Sequence, residues 1–192
     1  EDYIRRYGTD GLINLIDQVI IARQRESILS TLKFVISIKD SKYKIKVLPN
    51  LLKHVDPYCY ESVFSLLKSP SNELRELATN CLIELIRKTN KRLKDNNEVN
   101  KTALYNLIKI WEKQIVMVMQ AKDDIPEDYY KAARKIFFEI CNYNHEILHP
   151  IFFDLVNKDF YETYFFLKDW SFDDKYDLYS WLIKTEPSFG SI

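Results

Sequence analysis

Leu66-Leu67-Lys68-Ser69-Pro70-Ser71-Asn72-Glu73-Leu74-Arg75-Glu76-Leu77-Ala78-Thr79-Asn80-Cys81-Leu82-Ile83-Glu84-Leu85-Ile86 is the stretch whose reading decides the fold. Leu74, Leu77, Ala78, Cys81, Leu82, Leu85 and Ile86 recur at three- and four-residue intervals and therefore share one face of a helix, with Glu73, Arg75, Glu76, Glu84 and Arg87 around it. Ser69-Pro70 supplies a capping hydroxyl followed by a proline at the first helical position, with Ser71 as an alternative cap. Small residues, Ala78 and Cys81, sit on the apolar face, where they permit a neighbouring helix to approach closely.

The same grammar extends in both directions. Upstream, Thr9-Asp10-Gly11 precedes an apolar stripe of Leu12, Ile13, Leu15, Ile16, Val19 and Ile20. A second stripe runs through Ile28, Leu29, Leu32, Val35 and Ile36. Lys39-Asp40-Ser41-Lys42 separates it from a third, Val47, Leu48, Leu51, Leu52 and Val55. Asp56-Pro57 reads as an N-cap with proline next to it. Downstream, the Asn-rich run 89–100 reads as an exposed polar loop. A helix from about residue 100 to 120 carries Leu104, Leu107, Ile108, Trp111, Ile115, Val118 and Met119. Ile125-Pro126 opens another, striped with Ala132, Ala133, Ile136, Phe137 and Ile140, and Pro150 a further one. Two short aromatic helices finish the chain. No two-residue alternation of the strand type appears, and three glycines with six prolines are too few turn formers for a sandwich or barrel. The predicted class is all-α.

Pair starts near residues 10, 57 and 100 lie 47 and 43 apart, close to the roughly 40–47 residues of HEAT and armadillo units. The run 66–86 resembles the junction of such a repeat, a short proline turn followed by a helix with small residues on its packing face, and is similar to segments of importin-β-type transport receptors. The resemblance covers about 30 of the 192 residues. It implies a right-handed α-α superhelix, a HEAT/armadillo-like solenoid, over residues 1–192 as a single helical-repeat domain cut from a longer protein.

Formal net charge is zero, so no global field draws the chain to nucleic acid or to an anionic membrane. The halves differ: residues 1–101 hold 18 Lys and Arg against 13 Asp and Glu, and residues 102–192 hold 10 against 15. Cys59, Cys81 and Cys141 are odd in number and far apart, which reads as buried reduced thiols and not as a secreted disulfide framework. The first residues lack the apolar core of a signal peptide, and no apolar run reaches the roughly 18 residues that span a bilayer. The expected setting is intracellular, cytoplasmic or nuclear.

His145-Glu146-Ile147-Leu148-His149 matches the H-E-x-x-H pattern, in which two histidines on one helical face bind zinc while the glutamate polarises water. Pro150 pushes His149 out of helical conformation, which places the histidines across a turn; no H-x-x-G-x-x-H extension follows, and the possible third ligands, Glu162 and Asp169, lie on a strongly aromatic segment. Arg87, Lys88, Lys91, Arg92, Lys94 and Lys101 cluster at a helix end, where cations complement the macrodipole and also offer an anionic partner a contact. Asp123-Asp124, Glu127-Asp128 and Asp173-Asp174 stand at helix starts, where the dipole favours them. Gly8, Gly11 and Gly190 cannot form a phosphate-binding loop. Eighteen of the 27 aromatic residues fall in 129–192, and Tyr161, Phe165 and Trp170 are the candidates for an open aromatic surface. No nucleophile–base arrangement stands out. The expectation is a non-catalytic scaffold or adaptor that binds a protein partner, without metal or cofactor. A nucleic-acid-binding repeat protein using 87–101 is the alternative, and a zinc metallopeptidase at 145–149 the third reading.

Overall fold

A computed structural model describes residues 2–94, 101–144, 147 and 151. All of its regular structure is helical, and there is no strand among the described residues. The α-helices are α1 (Asp2–Ala22), α2 (Arg25–Ser37), α3 (Ser41–Leu52), α4 (Tyr60–Ser65), α5 (Asn72–Lys94), α6 (Lys101–Gln120) and α7 (Glu127–Cys141). Short 3₁₀ turns at Pro57–Cys59, Leu66–Lys68 and Lys122–Asp124 join some of them. The chain divides into two compact units, Glu1–Phe137 and Phe138–Ile192.

Local chemistry accounts for the helix ends. Gly8, at φ 62 and ψ −161, breaks α1 just before Thr9. Side chains with a Cβ avoid that conformation, so the kink falls at the glycine. Arg23 takes a left-handed conformation (φ 52) and ends α1, leaving two residues before α2. The Asp40 carboxylate accepts from Lys42 N at 2.8 Å and caps α3. Asp56 does the same for Tyr58 N at 2.9 Å, with Pro57 beside it, as the Asp56-Pro57 reading requires. It also pairs with Arg25 Nε at 2.5 Å, and the Arg25 guanidinium lies 4.4 Å from the Tyr58 ring centre. The start of α2 is thereby fastened to the corner that opens α4.

In the first unit the principal packing runs between near neighbours: α1 on α2 and α3, α2 on α3 and α4, α3 and α4 on α5, and α5 on α6. Its core comprises Leu12, Ile16, Leu32, Val35, Leu48, Leu51, Val63, Leu67, Leu74, Leu82, Trp111 and Ile115, each at most 1% exposed. Tyr60 and Trp111 stack with ring centres 4.5 Å apart and join α4 to α6. In the second unit, the described Ile140, Cys141, Ile147 and Ile151 are buried. None of the three cysteines is in a disulfide; Cys59 and Cys141 are buried and Cys81 partly so.

Two expectations are corrected. The polar run assigned to a loop at 89–100 is helical as far as Lys94. Thr89 is fully buried there and donates its hydroxyl to Leu85 O at 2.7 Å, so it continues the helix and does not break it. The polar residues after it occupy the outer side of the same helix. Arg75, read as part of the polar surround of α5, is buried at 7% exposure. Arg75, Thr79 and Thr89 lie beside Leu82 and Ile86, so the covered face of α5 is wider than its apolar stripe. Of the two candidate caps, Ser71 is the one at the start of α5, its hydroxyl accepting from Leu74 N at 3.4 Å. Ser69 Oγ instead accepts from Ser71 N at 3.2 Å and shapes the corner.

Candidate functional site

The corner Leu66–Ser71 and the segment from Met117 to Tyr129 face each other across a cleft of about 710 Å³. Leu67, Pro70, Met117, Val118, Ala121, Ile125 and Pro126 make it mainly apolar, and Lys68, Arg75, Asp128 and Tyr129 supply its polar groups. Each wall has a local origin. On one side, Ser69 N donates to Leu66 O, and the proline then turns the chain into α5. On the other, Ala121 N donates to Met117 O and ends α6, after which Tyr129 N and Tyr130 N both donate to Pro126 O and start α7.

Arg75 joins the two walls. Its guanidinium donates to Ser69 O at 2.6 Å, to Asn72 Oδ1 at 3.4 Å and to Asp128 Oδ2 at 2.9 Å. A buried cation is costly without such partners, and here three oxygens share it. Asp128 remains largely exposed at the rim. Lys68 is exposed and makes no ion pair among the described residues. Burial pushes the Tyr129 phenol above its ordinary range, so it stays protonated and able to donate. Met117, 60% exposed, presents a flexible, polarisable side chain to whatever enters. The cleft thus offers apolar contact, one unpaired ammonium and an internally neutralised ion pair. Its size falls in the range of roughly 300–1,000 Å³ typical of binding pockets.

The residues singled out from the sequence lie elsewhere. Arg87 is on the outer side of α5 and donates to Glu84 Oε1 at 3.2 Å. Lys88, Lys91 and Arg92 are exposed on the last turns of the same helix and have no ion pair among the described residues. Tyr161, Phe165 and Trp170 lie outside the described residues, as do His145, Glu146 and His149. Helix α7 ends at Cys141, before that motif begins. Among the described residues no group of three His, Cys, Asp or Glu side chains comes together as a metal site would require.

Sequence reading missed the cleft, although one signal for it existed. Met117 is apolar but stands off the core stripe of α6, Leu104, Ile108, Trp111, Ile115 and Met119, and a large apolar residue off the stripe has no neighbour assured to cover it. Comparison of the chain with protein-family models, with curated proteins and with solved structures returned no match.

Proposed function

We propose that this chain is a HEAT/armadillo-like helical solenoid that works as a scaffold or adaptor and holds a protein partner in the cleft between the Ser69-Pro70 corner and the end of α6. The cleft is the observation that carries the reading: an open, mainly apolar depression with an exposed Met117 on its wall. Exposed apolar surface of this kind marks interaction sites. The repeat architecture is supported by the order of packing, in which the main contacts of the first unit join elements one or two steps apart along the chain. In a solenoid each unit touches only its neighbours. The spacing of the helix pairs and the resemblance of residues 66–86 to a repeat junction agree with this. The absence of a disulfide at Cys59 and Cys81 fits a reducing intracellular compartment.

Affinity capture on the immobilised chain, with and without nuclease, tests the reading. A protein retained in both conditions, and lost on Met117→Asp while the melting temperature holds, is the expected result. Retention that ignores Met117→Asp would remove the cleft from the account. The exposed Lys88, Lys91 and Arg92 favour a second reading, nucleic-acid binding, in which nuclease releases whatever is retained.

A further inference from the structure

Helix α6 carries a second apolar stripe beside the one that enters the core. Ala103, Leu107, Ile110 and Met117, with the polar Gln114 among them and Ala121 just past the helix end, follow one another at alternate four- and three-residue steps, so they line up along one side. None of the six is buried; Ile110 is 47% and Met117 60% exposed. From Ala103 to Met117 the stripe extends roughly 21 Å at about 1.5 Å per residue. Its last members, Met117 and Ala121, are also walls of the cleft, so the stripe and the cleft form one continuous surface.

Two lysines along this surface make no ion pair among the described residues. Lys113 stands one turn from both Ile110 and Met117, is exposed, and has no ion pair among the described residues. Lys68 stands in the cleft in the same condition. The acid carried by α6, Glu112, is buried and taken up by Lys109 at 2.8 Å. At the start of α7, Glu127 is held by Lys131 at 2.6 Å and Asp128 by Arg75. Asp123 and Asp124 are exposed on the 3₁₀ turn beyond the end of α6, at the far rim of the cleft from Lys113.

We infer that this surface receives an amphipathic helix of a protein partner whose apolar anchors lie along Leu107, Ile110 and Met117 and whose acidic residues meet Lys113 and Lys68. The inference rests on the partner-binding reading above and adds the chemistry of the partner to it. A straight stripe of about four turns matches anchors at i, i+3, i+4 and i+7. An extended strand would need a sheet edge to pair with, and the described residues contain none. Unpaired lysines beside an apolar stripe favour acidic flanks and set specificity more than affinity.

The test uses the full chain and three labelled peptides of about 18 residues, the length of a five-turn helix. One carries leucine anchors at helical spacing with glutamate flanks, one the same anchors with lysine flanks, and one the acidic composition scrambled. Fluorescence anisotropy is expected to show the acidic peptide binding about tenfold or more tightly than either control. Met117→Asp should abolish the difference, and the double change Lys68→Glu with Lys113→Glu should invert the order of the acidic and basic peptides. These side chains are exposed, so unchanged circular dichroism and melting temperature will certify the variants. Equal binding of the acidic and basic peptides, a scrambled peptide that binds as well, or an order that survives the double reversal overturns the inference. Displacement of the bound acidic peptide by an equimolar single-stranded oligonucleotide also overturns it and assigns the surface to nucleic acid. If the chain still retains a protein through Met117 while ignoring flank charge, the scaffold function stands and this inference alone falls.

Discussion

Arg75 Nη2 donates to Asp128 Oδ2 at 2.9 Å and so joins the first turn of α5 to the first turn of α7 across 53 residues of chain. The two ends of this pair are unequal, because the Arg75 side chain is 9% exposed and that of Asp128 is 65% exposed. Replacing Arg75 by alanine strips Ser69 O of its donor and leaves a void, which should cost roughly 2–4 kcal/mol. Asp128→Asn keeps an acceptor oxygen at an exposed position and should cost about 1 kcal/mol or less. Urea denaturation of both variants checks this; equal losses would mean that the ion pair, and not the bond to Ser69, fastens the corner.

Tyr60 and Trp111 stack in the core, yet Tyr60 Oη and Trp111 Nε1 have no hydrogen-bond partner. A buried hydroxyl without a partner opposes folding. Tyr60→Phe is therefore expected to leave stability unchanged or raise it by about 1 kcal/mol. Trp111→Ala removes the stack and leaves a large cavity, with an expected loss of roughly 3–5 kcal/mol. Thermal melts of the two variants should move in opposite directions, or only the second should move.

Alkaline pH should weaken the fold through its thiols. Burial, the largest cause, pushes the Cys81 thiol from 9.0 up to about 12, and its Sγ donates to Leu52 O at 3.7 Å. Burial also raises the Cys59 thiol and the Tyr60 phenol. Each group ionises more readily in the unfolded chain than in the folded one. The Cys81 contribution is then complete below pH 9.0 and is lost progressively as pH rises toward about 12. Urea midpoints at pH 7, 9 and 10 should be level to pH 9 and then fall, and Cys81→Ala should flatten the fall. An identical decline in that variant would assign the effect to other groups.

Reversing Lys88, Lys91 and Arg92 to glutamate tests the end of α5. All three are exposed, so the change should shift stability by about 1 kcal/mol at most, toward loss because anions oppose the helix dipole there. Binding of a single-stranded oligonucleotide, measured across a salt series, should vanish if this end contacts anions. Binding to a protein partner through the cleft should persist.

Much of the local structure was legible in residue order. The Asp56-Pro57 corner, the stripes of α2, α3, α5, α6 and α7, and the all-helical class follow from interactions within about four residues, which the order of side chains fully specifies. The polar run after Thr89 misled because composition alone does not separate a loop from the outer side of a helix; the buried Thr89 hydroxyl decides between them. The basic residues at 87–92 were found correctly as exposed charges, but their exposure carries no statement of what they meet.

The cleft belongs to the other category. Ser69 and Asp128 are distant in the chain, and nothing near either residue says that a guanidinium will bridge them. Arg75 reads as a surface residue until packing widens the covered face of α5 to include it, and Met117, off the core stripe, is left open because no described helix covers it. Residue order by itself therefore determined the all-helical class, the Asp56-Pro57 corner and the apolar face of most helices. Tertiary packing decided which apolar faces are buried and which stay open, because burial is a relation between helices that no single helix contains.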